Sequence, residues 1–318
     1  MYRLTAKIEI SGAKRWCLEK VSAVEITRDT EKLTEECRIT LPKKVKWDGI
    51  YEVPIRRGDA IKVWLGYDDN LQQAFTGYVR NVGFKTPVVI SCEDEMFRLK
   101  QMPAQKKAYK SVNLETLLKD QGLNYPLHIM GEQNLGQYRV TADTVASLLG
   151  QLQENGIRSF FCYENGTPEL YCGVLFEQES RPSQVFASGV NIIDDHNLKQ
   201  QKAADIRILV KAVGLMPDNK KIKVEVGDED GELHMLHAYN KTESELKAWA
   251  EQEIKRLKRD GLAGSLTTFG YSLADKLDTV GIKIDGEKKG VYQVQKNIIK
   301  YGTGGFRQEI TLGQRVAE

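Results

Sequence analysis

Residues 58–79 read GDAIKVWLGYDDNLQQAFTGYV and carry the pattern of two strands joined by a tight turn. In the first half, Ile61, Val63 and Leu65 alternate with other residues, which is the period of a half-buried strand. A second strand pattern begins at Ala74, after the polar turn at residues 68–70. The stretch therefore predicts an antiparallel β-hairpin with one buried face.

Short strand patterns also surround this hairpin. They occupy residues 3–10, 21–26, 37–41 and 87–92, and a short helix is predicted from Glu93 to about Lys100. Several short strands with no helix between them are typical of a closed or sandwiched antiparallel unit. We therefore predict a first β-barrel domain over residues 1–102.

The middle of the chain has a different pattern. Residues 112–120 predict a helix with Asn113 as its N-cap, and residues 142–154 predict a second helix preceded by Thr141. Strands at 158–163 and 169–173 then form a hairpin around a Gly-containing turn. These elements predict a small α+β domain over residues 103–178.

Strand patterns return at residues 205–213 and 221–227, followed by a helix near 242–260 and further strands from 265 to 312. Thr242 and Glu245 have the spacing of a capping box, which marks the start of that helix. We predict a second β-barrel domain over residues 179–318 with this helix as an insertion. The predicted fold class is α+β, mainly β, with two small antiparallel β-barrels.

The composition excludes several classes of protein. The chain has 318 residues and a formal net charge of +2, from 46 basic and 44 acidic residues, so it is not a strongly basic nucleic-acid binder. Its 41% hydrophobic residues are normal for a globular protein and argue against disorder. No apolar run is long enough to span a bilayer, and the alternating N-terminus lacks the apolar run of a signal peptide. We predict a soluble protein made in the cytoplasm.

The five cysteines predict reduced, structural thiols. Their number is odd and no CxxC pair occurs, whereas disulfide scaffolds and structural zinc sites need more regular spacing. Cys162 and Cys172 flank the turn of the predicted hairpin, so they could face each other across it.

Histidines and neighbouring carboxylates provide two weak candidates for chemistry. His234 and His237 are three residues apart, which in a strand places them on opposite faces and argues against a metal pair. The triplet at residues 194–196, Asp-Asp-His, could be catalytic, but adjacent side chains converge on one atom only in a special turn. A polar loop is the simpler interpretation.

Three consecutive acidic residues, Glu93, Asp94 and Glu95, could supply an acid/base pair for glycoside cleavage. Their position at a helix start is explained more simply by the helix dipole. No nucleophile elbow, phosphate-binding loop or zinc-protease motif occurs, and the glycine-rich residues 302–305 fit a hairpin turn. We therefore predict no catalytic, cofactor-binding or metal-binding residue and no enzymatic activity.

Two basic stretches could contact nucleic acid or an acidic partner. One contains Lys43, Lys44 and Lys46, and the other spans residues 105–110. Isolated basic clusters in a charge-balanced chain are usually solvated surface.

Residues 58–101 also resemble a known family. The run of Gly58-Asp59, alternating residues, Gly66-Tyr67 and the later Gly77, followed by an acidic short helix at residues 93–96, is similar to the baseplate hub proteins of contractile-tailed phages. This is the late control gene D family, and the hub part of type VI secretion spike proteins looks similar. Gly58, Gly66 and Gly77 are residues of the fold in this interpretation rather than a site.

The resemblance implies a structural subunit of a phage or prophage tail baseplate hub. Proteins of that family form homotrimers in which two barrels per chain make a pseudo-sixfold ring, which adapts a sixfold tail tube to a threefold central spike. The implied partners are the tube protein, the spike protein and other baseplate proteins, with no membrane binding by the chain itself. Nucleic acid at most passes through the central channel. The implied location is the virion tail baseplate, assembled in the bacterial cytoplasm.

Two alternatives stay open at this point. The scattered carboxylates allow a cell-wall hydrolase associated with a phage tail, although the chain lacks room for the lysozyme-like insertion of larger family members. The basic and aromatic residues allow a carbohydrate- or nucleic-acid-binding β-barrel module.

Overall fold

The computed structural model describes residues 3–45, 47, 53–131, 133–164, 166–173, 184–216, 220–239 and 241–317. Strands dominate these residues, and four α-helices lie among them. The mainly β fold class predicted from the sequence is confirmed at this level. The predicted boundary at residue 178 and Lys46 lie outside the described residues.

The first β unit contains the hairpin from which the fold was predicted. Its elements are β1 (Leu4–Ser11), β2 (Arg15–Leu18), β3 (Ala23–Asp29), β4 (Glu36–Thr40), β5 (Ala60–Tyr67), β6 (Asn70–Val82), β7 (Val89–Glu93) and α1 (Met96–Leu99). Strands β5 and β6 form the predicted antiparallel pair. Asp68 and Asp69 both have positive φ, 48° and 67°, which is the backbone of the two-residue turn that matches strand twist.

The middle unit combines two helices with two small sheets. Its elements are β8 (Ala108–Asn113), α2 (Leu114–Lys119), β9 (Leu127–Met130), β10 (Asn134–Arg139), α3 (Val145–Glu154), β11 (Arg158–Glu164) and β12 (Thr167–Gly173). The Asn113 side chain caps α2 as predicted. Helix α3 begins three residues later than predicted, because the capping box is made by Thr144 and Ser147.

Helix α1 belongs to the core of the middle unit. Met96 and Leu99 are buried among the apolar side chains of α2 and α3, such as Leu117 and Leu148. The short helix lies within the predicted first domain, yet it packs on the second. It therefore fixes the end of β7 against the middle unit.

The remaining elements form a second β unit and an insertion. They are β13 (Gln184–Ala187), β14 (Ile192–Asp194), β15 (Lys199–Gln201), a 3-10 turn (Ala203–Asp205), β16 (Ile208–Leu215), β17 (Lys221–Gly227), β18 (Glu232–Tyr239), α4 (Glu243–Leu257), β19 (Gly261–Ala263), β20 (Ser265–Phe269), β21 (Thr279–Ile284), β22 (Glu287–Gly302) and β23 (Gly305–Ala317).

The insertion is larger than the helix predicted from the sequence. Strands β16, β17 and β18 form a separate three-stranded sheet, and α4 covers one of its faces. Val210 and Ala212 on β16 meet Leu246 and Ala250 on α4, so these strands bury their apolar face against the helix rather than inside a barrel. The predicted capping box is confirmed, since the Thr242 side chain accepts from the Glu245 amide.

The two β units share one continuous sheet. Strand β3 of the first unit pairs antiparallel with β22 of the second, from Ala23 opposite Gly302 to Asp29 opposite Lys296. Thirteen strands are connected in this way, along the path β14-β20-β23-β22-β3-β4-β7-β6-β5-β1-β2 with β21 and β13 branching from β22. Among the described residues, no strand pairing closes either unit into a barrel, so the two-barrel detail stays a prediction.

The two β units repeat one local geometry. The Arg56 amide donates to Asp59 Oδ2 at 2.8 Å, and the Asp275 amide donates to Asp278 Oδ2 at 2.7 Å. The residue before each aspartate has positive φ, 91° at Gly58 and 72° at Leu277. Each aspartate therefore closes the same turn at the start of a central strand, β5 or β21.

The repeat extends through the following strands. The Asp59 and Asp278 carbonyls accept from the amides of Val79 and Val294, at 2.9 and 2.8 Å. A register shift follows at once in both units, between Val79 and Asn81 and between Val294 and Lys296. The strand order β5-β6-β7-β4-β3 thus corresponds to β21-β22-β23-β20-β14, although β13 pairs parallel with β21 whereas β1 pairs antiparallel with β5. The second unit therefore repeats the turn, the bulge and the strand order of the first.

Gly77→Ala is expected to destabilise the protein by roughly 1–3 kcal/mol. A Cβ at Gly77 would collide with the backbone carbonyl of Glu93 on the neighbouring strand. Gly304→Ala is the control, since a Cβ there meets nothing within 4 Å, and we expect a change within about 0.5 kcal/mol. Urea unfolding of both variants measures the difference. Equal effects would show that close approach at Gly77 does not matter.

Candidate functional site

A cluster of buried charges lies where the three units meet. Glu35, which precedes β4, accepts from Lys276 of the second β unit, with Oε2 2.9 Å from Nζ. Arg28 of β3 lies on the other side of the same carboxylate, with Nε 3.4 Å from Oε1. The side chains of Lys276 and Glu35 are 2% and 5% exposed. We call Arg28, Glu35, Asp94 and Lys276 the junction cluster.

Arg28 connects the backbones of both β units. Its guanidinium donates to the Ala74 carbonyl of β6 at 2.6 Å and to the Ala274 carbonyl of the loop before β21 at 3.2 Å. Buried Asn297 and Gln308 hold the same loop, since the Asn297 amide donates to the Ala274 carbonyl and the Gln308 amide donates to the Ser272 carbonyl. These bonds fix the loop of the second unit against the first.

The middle unit reaches the same junction through β11. The Tyr163 hydroxyl donates to the Thr76 carbonyl at 3.0 Å and accepts from the Glu95 amide at 3.2 Å. On the same strand, the Phe160 ring lies 5.7 Å from Lys276 Nζ, within cation–π range. The junction cluster is therefore enclosed by all three units.

Burial changes the acid–base behaviour of the junction cluster. Burial raises the pKa of Asp94 to about 7, although the nearby Lys276 opposes the rise. Burial alone would lower the pKa of Lys276, but the Glu35 carboxylate holds it above its ordinary value. Arg28 behaves likewise, since burial is outweighed by Asp275 and Glu35 and its pKa is raised. The two cations stay charged at neutral pH, whereas the raised pKa of Asp94 keeps part of its carboxyl protonated there.

The three acidic residues predicted at the helix start point to three different partners. Glu93 pairs with Lys100 at 2.8 Å, and Glu95 accepts from the Tyr125 hydroxyl at 2.8 Å. Asp94 Oδ1 accepts from the Met96 amide, and its Oδ2 has no hydrogen-bond partner. All three are buried, so they do not form an acid/base pair in a cleft. Their roles are to stabilise α1 and to connect it with its neighbours.

The Asp-Asp-His triplet converges in the turn that the sequence did not predict. The Asp194 carboxylate accepts from the His196 amide at 2.9 Å, and its Oδ1 lies 2.6 Å from His196 Nδ1. Ligand atoms of Asp194, Asp195 and His196 lie within 4.8 Å of one another. The His196 side chain is 90% exposed, so the triplet is a surface turn without an enclosing pocket. The other candidate pair, His234 and His237, lies on β18 at an odd spacing that places the two positions on opposite faces.

The basic stretches are partly occupied by ion pairs. Lys106 pairs with Asp143 at 2.8 Å and Lys107 with Asp120 at 2.6 Å. Lys43 and Lys44 are exposed. This arrangement is that of an ordinary charged surface rather than of a phosphate-binding stripe.

The positions of Cys162 and Cys172 differ from the facing arrangement that the sequence allowed. Cys162 lies opposite Glu169 and Cys172 lies opposite Ser159, so the two thiols do not face each other across the hairpin. The register of β11 and β12 offsets them by three residues. Burial raises the pKa of Cys172 to about 12, so this thiol stays protonated.

Comparison with known proteins shows which solved structures share this architecture. No protein-family model and no curated protein sequence matches the chain. Solved structures do match it over its whole length. A 43 kDa tail protein of prophage MuSo2 from Shewanella oneidensis has a TM-score of 0.61 and 15% identity, and the match covers 98% of both chains. A tail protein from Neisseria meningitidis MC58 gives 0.61 and 14%, over 99% of this chain and 97% of that one.

The chain has the fold of a phage tail protein. The tail-protein fold also extends to secretion systems, because the E. coli c3393 protein, a component of the type VI secretion system with structural similarity to T4 tail proteins gp27 and gp5, matches with a TM-score of 0.59 and 9% identity. That match covers 97% of this chain and 77% of the other. In the described part of this tail-protein fold, no helix is both long and apolar enough to cross a membrane.

Proposed function

We propose that this protein is a structural subunit of a phage or prophage tail baseplate hub, a homotrimeric ring that adapts the sixfold tail tube to the threefold central spike. The observation that carries the proposal is the tail-protein fold over the whole chain. The repeated turn and bulge of the two β units support it, because three chains with two similar units each supply six similar units. The partners are the tube protein, the spike protein and other baseplate proteins.

The junction cluster suits this role. A ring subunit must hold its two β units at a fixed angle, and the β3–β22 ladder together with the Arg28 and Glu35 contacts couples them rigidly. A set of buried charges costs desolvation energy, but its directional bonds select one arrangement of the units. The proposed location is the virion tail baseplate, assembled in the cytoplasm of the host bacterium.

Light scattering on a size-exclusion column tests the trimer. We expect a mass near three times the 36.0 kDa of the chain for the protein alone or, after co-expression with the tube and spike proteins of the same tail, a larger complex that contains three copies of the chain. In the second case the three proteins should also elute together. A chain that stays monomeric and separate under both conditions would contradict the hub proposal.

The proposal makes the subunit non-enzymatic. The absence of enzymatic activity is supported by the burial of Glu93, Asp94 and Glu95, each of which is engaged in a structural contact. A gel containing peptidoglycan tests this part directly. A cleared band at the mass of the chain, lost on replacing Glu93 by Gln, would favour the cell-wall hydrolase instead.

A further inference from the structure

The first β unit has an unpartnered strand edge at the end of β6. Strand β5 pairs with β6 only as far as Tyr78, so residues 80–83 have β7 on one side and no strand on the other among the described residues. The next residue, Phe84, is 92% exposed, more than any other large apolar side chain in the described part of the chain.

The equivalent edge in the second β unit is covered. There, β21 pairs with β22 as far as Gln293, and beyond the register shift β22 pairs with β3. Counting from the shared bulge, with Val79 equivalent to Val294, places Asn81 at the position of Lys296 and Phe84 at the position of Ile299. Ile299 is fully buried opposite Ile26 of β3. The most exposed large apolar side chain of the described residues thus occupies a position that is core in the other unit.

In the second unit, β14 and β15 together correspond to β3, and their outer edge has no strand partner among the described residues. Ser91 and Thr311 are equivalent, because they pair with the equivalent residues Asn81 and Lys296. On the next strand, Ser91 lies opposite Arg38 and Thr311 lies opposite Ser265, so Arg38 is equivalent to Ser265. Glu36 lies two residues before Arg38 and pairs with Thr27 of β3. Its equivalent, Ala263, lies two residues before Ser265 and pairs with Lys199 of β15. Strand β15 therefore corresponds to the end of β3, and in the described residues it pairs with β19 alone.

We propose that a second copy of this chain covers these edges, with residues 81–84 of one copy pairing antiparallel with residues 198–201 of the next. The contact repeats between copies the β3–β22 junction that exists within each copy. It places Asn81, the equivalent of Lys296, opposite Gln201, the equivalent of Asp29. Phe84 then lies opposite Leu198. This inference rests on the proposed ring and names the surfaces that form it.

The two edges are different surfaces, so the contact is heterologous and continues from copy to copy until the ring closes. In the β6–β7 hairpin, seven residues connect Val82 with its pairing partner Ile90. In the β22–β23 hairpin, twelve residues connect the equivalent Asn297 with its partner Ile310, so this hairpin extends further. The first unit thus offers a shorter edge than β22 does, and the ladder between copies is shorter than the ladder within one. Association should therefore depend on protein concentration, while the intrachain junction does not.

Cysteine cross-linking tests the register. In a Cys17→Ser background, which removes the exposed native thiol, N81C and Q201C are prepared as separate full-length proteins and mixed under mild oxidation. Asn81 and Gln201 are exposed, so neither change disturbs a core. We expect a disulfide-linked dimer on a non-reducing gel for the mixture. A mixture of N81C with K199C is the matched control, because Lys199 lies two residues out of register on the same face.

The outcomes separate the inference from the proposed function. No cross-link, or equal yields for Q201C and K199C, would overturn the edge pairing. If light scattering still gave a trimer, the hub role would stand with other contact surfaces. A monomer that neither cross-links nor joins the tube and spike proteins would overturn both.

Phe84→Ser tests the same surface without a covalent bond. Loss of a buried phenylalanine contact should weaken association by roughly tenfold or more, measured from the concentration dependence of the mass. The unfolding midpoint of the dissociated chain should not change, because the side chain is exposed there. Leu233→Ser is the control, since Leu233 is 52% exposed on strand β18 of the insertion sheet and belongs to neither of the paired segments. Equal association of the two variants would contradict the inference.

Discussion

Replacing Glu35 with Gln is expected to lower the free energy of unfolding by about 3–5 kcal/mol, the cost of leaving buried charges without their counter-ion. Glu35 lies between two cations, 2.9 Å from Lys276 Nζ and 3.4 Å from Arg28 Nε. The amide keeps the size of the side chain but loses its charge. Arg28 would keep Asp275, which is 3.8 Å away and partly exposed. Lys276 would lose the partner that keeps its ammonium charged.

Glu309→Gln is the matched control for this experiment. Glu309 also pairs with a lysine, Lys300, but at 3.5 Å and on the surface. Such a pair contributes less than about 1 kcal/mol. Urea unfolding at pH 7 compares the two variants. Similar losses for Glu35→Gln and Glu309→Gln would show that the junction cluster does not hold the units together.

Asp94→Asn is expected to stabilise the protein at pH 8 and to leave it nearly unchanged at pH 4.5. The Asp94 pKa is raised to about 7 by burial, whereas an aspartate in the unfolded chain ionises near 4. Between these values the folded state binds more protons than the unfolded state, so stability falls as the pH rises through that window. The loss amounts to at most about 4 kcal/mol. An asparagine does not ionise, and its Oδ1 can still accept from the Met96 amide.

Urea unfolding between pH 4.5 and 8 measures this effect, and Asp228→Asn serves as a control of opposite sign. The Lys258 ammonium and the Ile208 amide lower the pKa of Asp228, so removing its charge should destabilise the protein at neutral pH. The Asp94→Asn profile should be flatter than that of the wild type. Parallel profiles would mean that Asp94 does not carry the pH dependence.

The local elements were predicted where local chemistry specifies them. The β5–β6 hairpin follows from alternating residues around two aspartates that tolerate positive φ. Helix α4 follows from the Thr242–Glu245 capping box. The start of α3 was placed three residues early, because Thr141 and Thr144 are equally good caps in sequence and only the Ser147 side chain distinguishes them.

The junction was not predicted, because its members are far apart in the chain. Lys276 and Glu35 are separated by 241 residues, and each looks like an ordinary surface charge in its own segment. The one available signal was the acidic run at residues 93–95, which was interpreted as a helix start although all three side chains are buried. The repeat of the two β units was also hidden, since Gly58 and Leu277 occupy the same left-handed position with different residue types.

The sequence by itself determined the β5–β6 hairpin, the N-cap of α2 and the capping box of α4, since alternation, capping and turn residues act over a few neighbouring positions. It also carried the resemblance to tail hub proteins through the run at residues 58–101. Only the tertiary structure decided that β3 and β22 join the two β units and that Phe84 stands at an open edge equivalent to a buried one. Strand pairing between distant segments depends on which edges remain open after each unit has packed, and that choice is made by the whole chain at once.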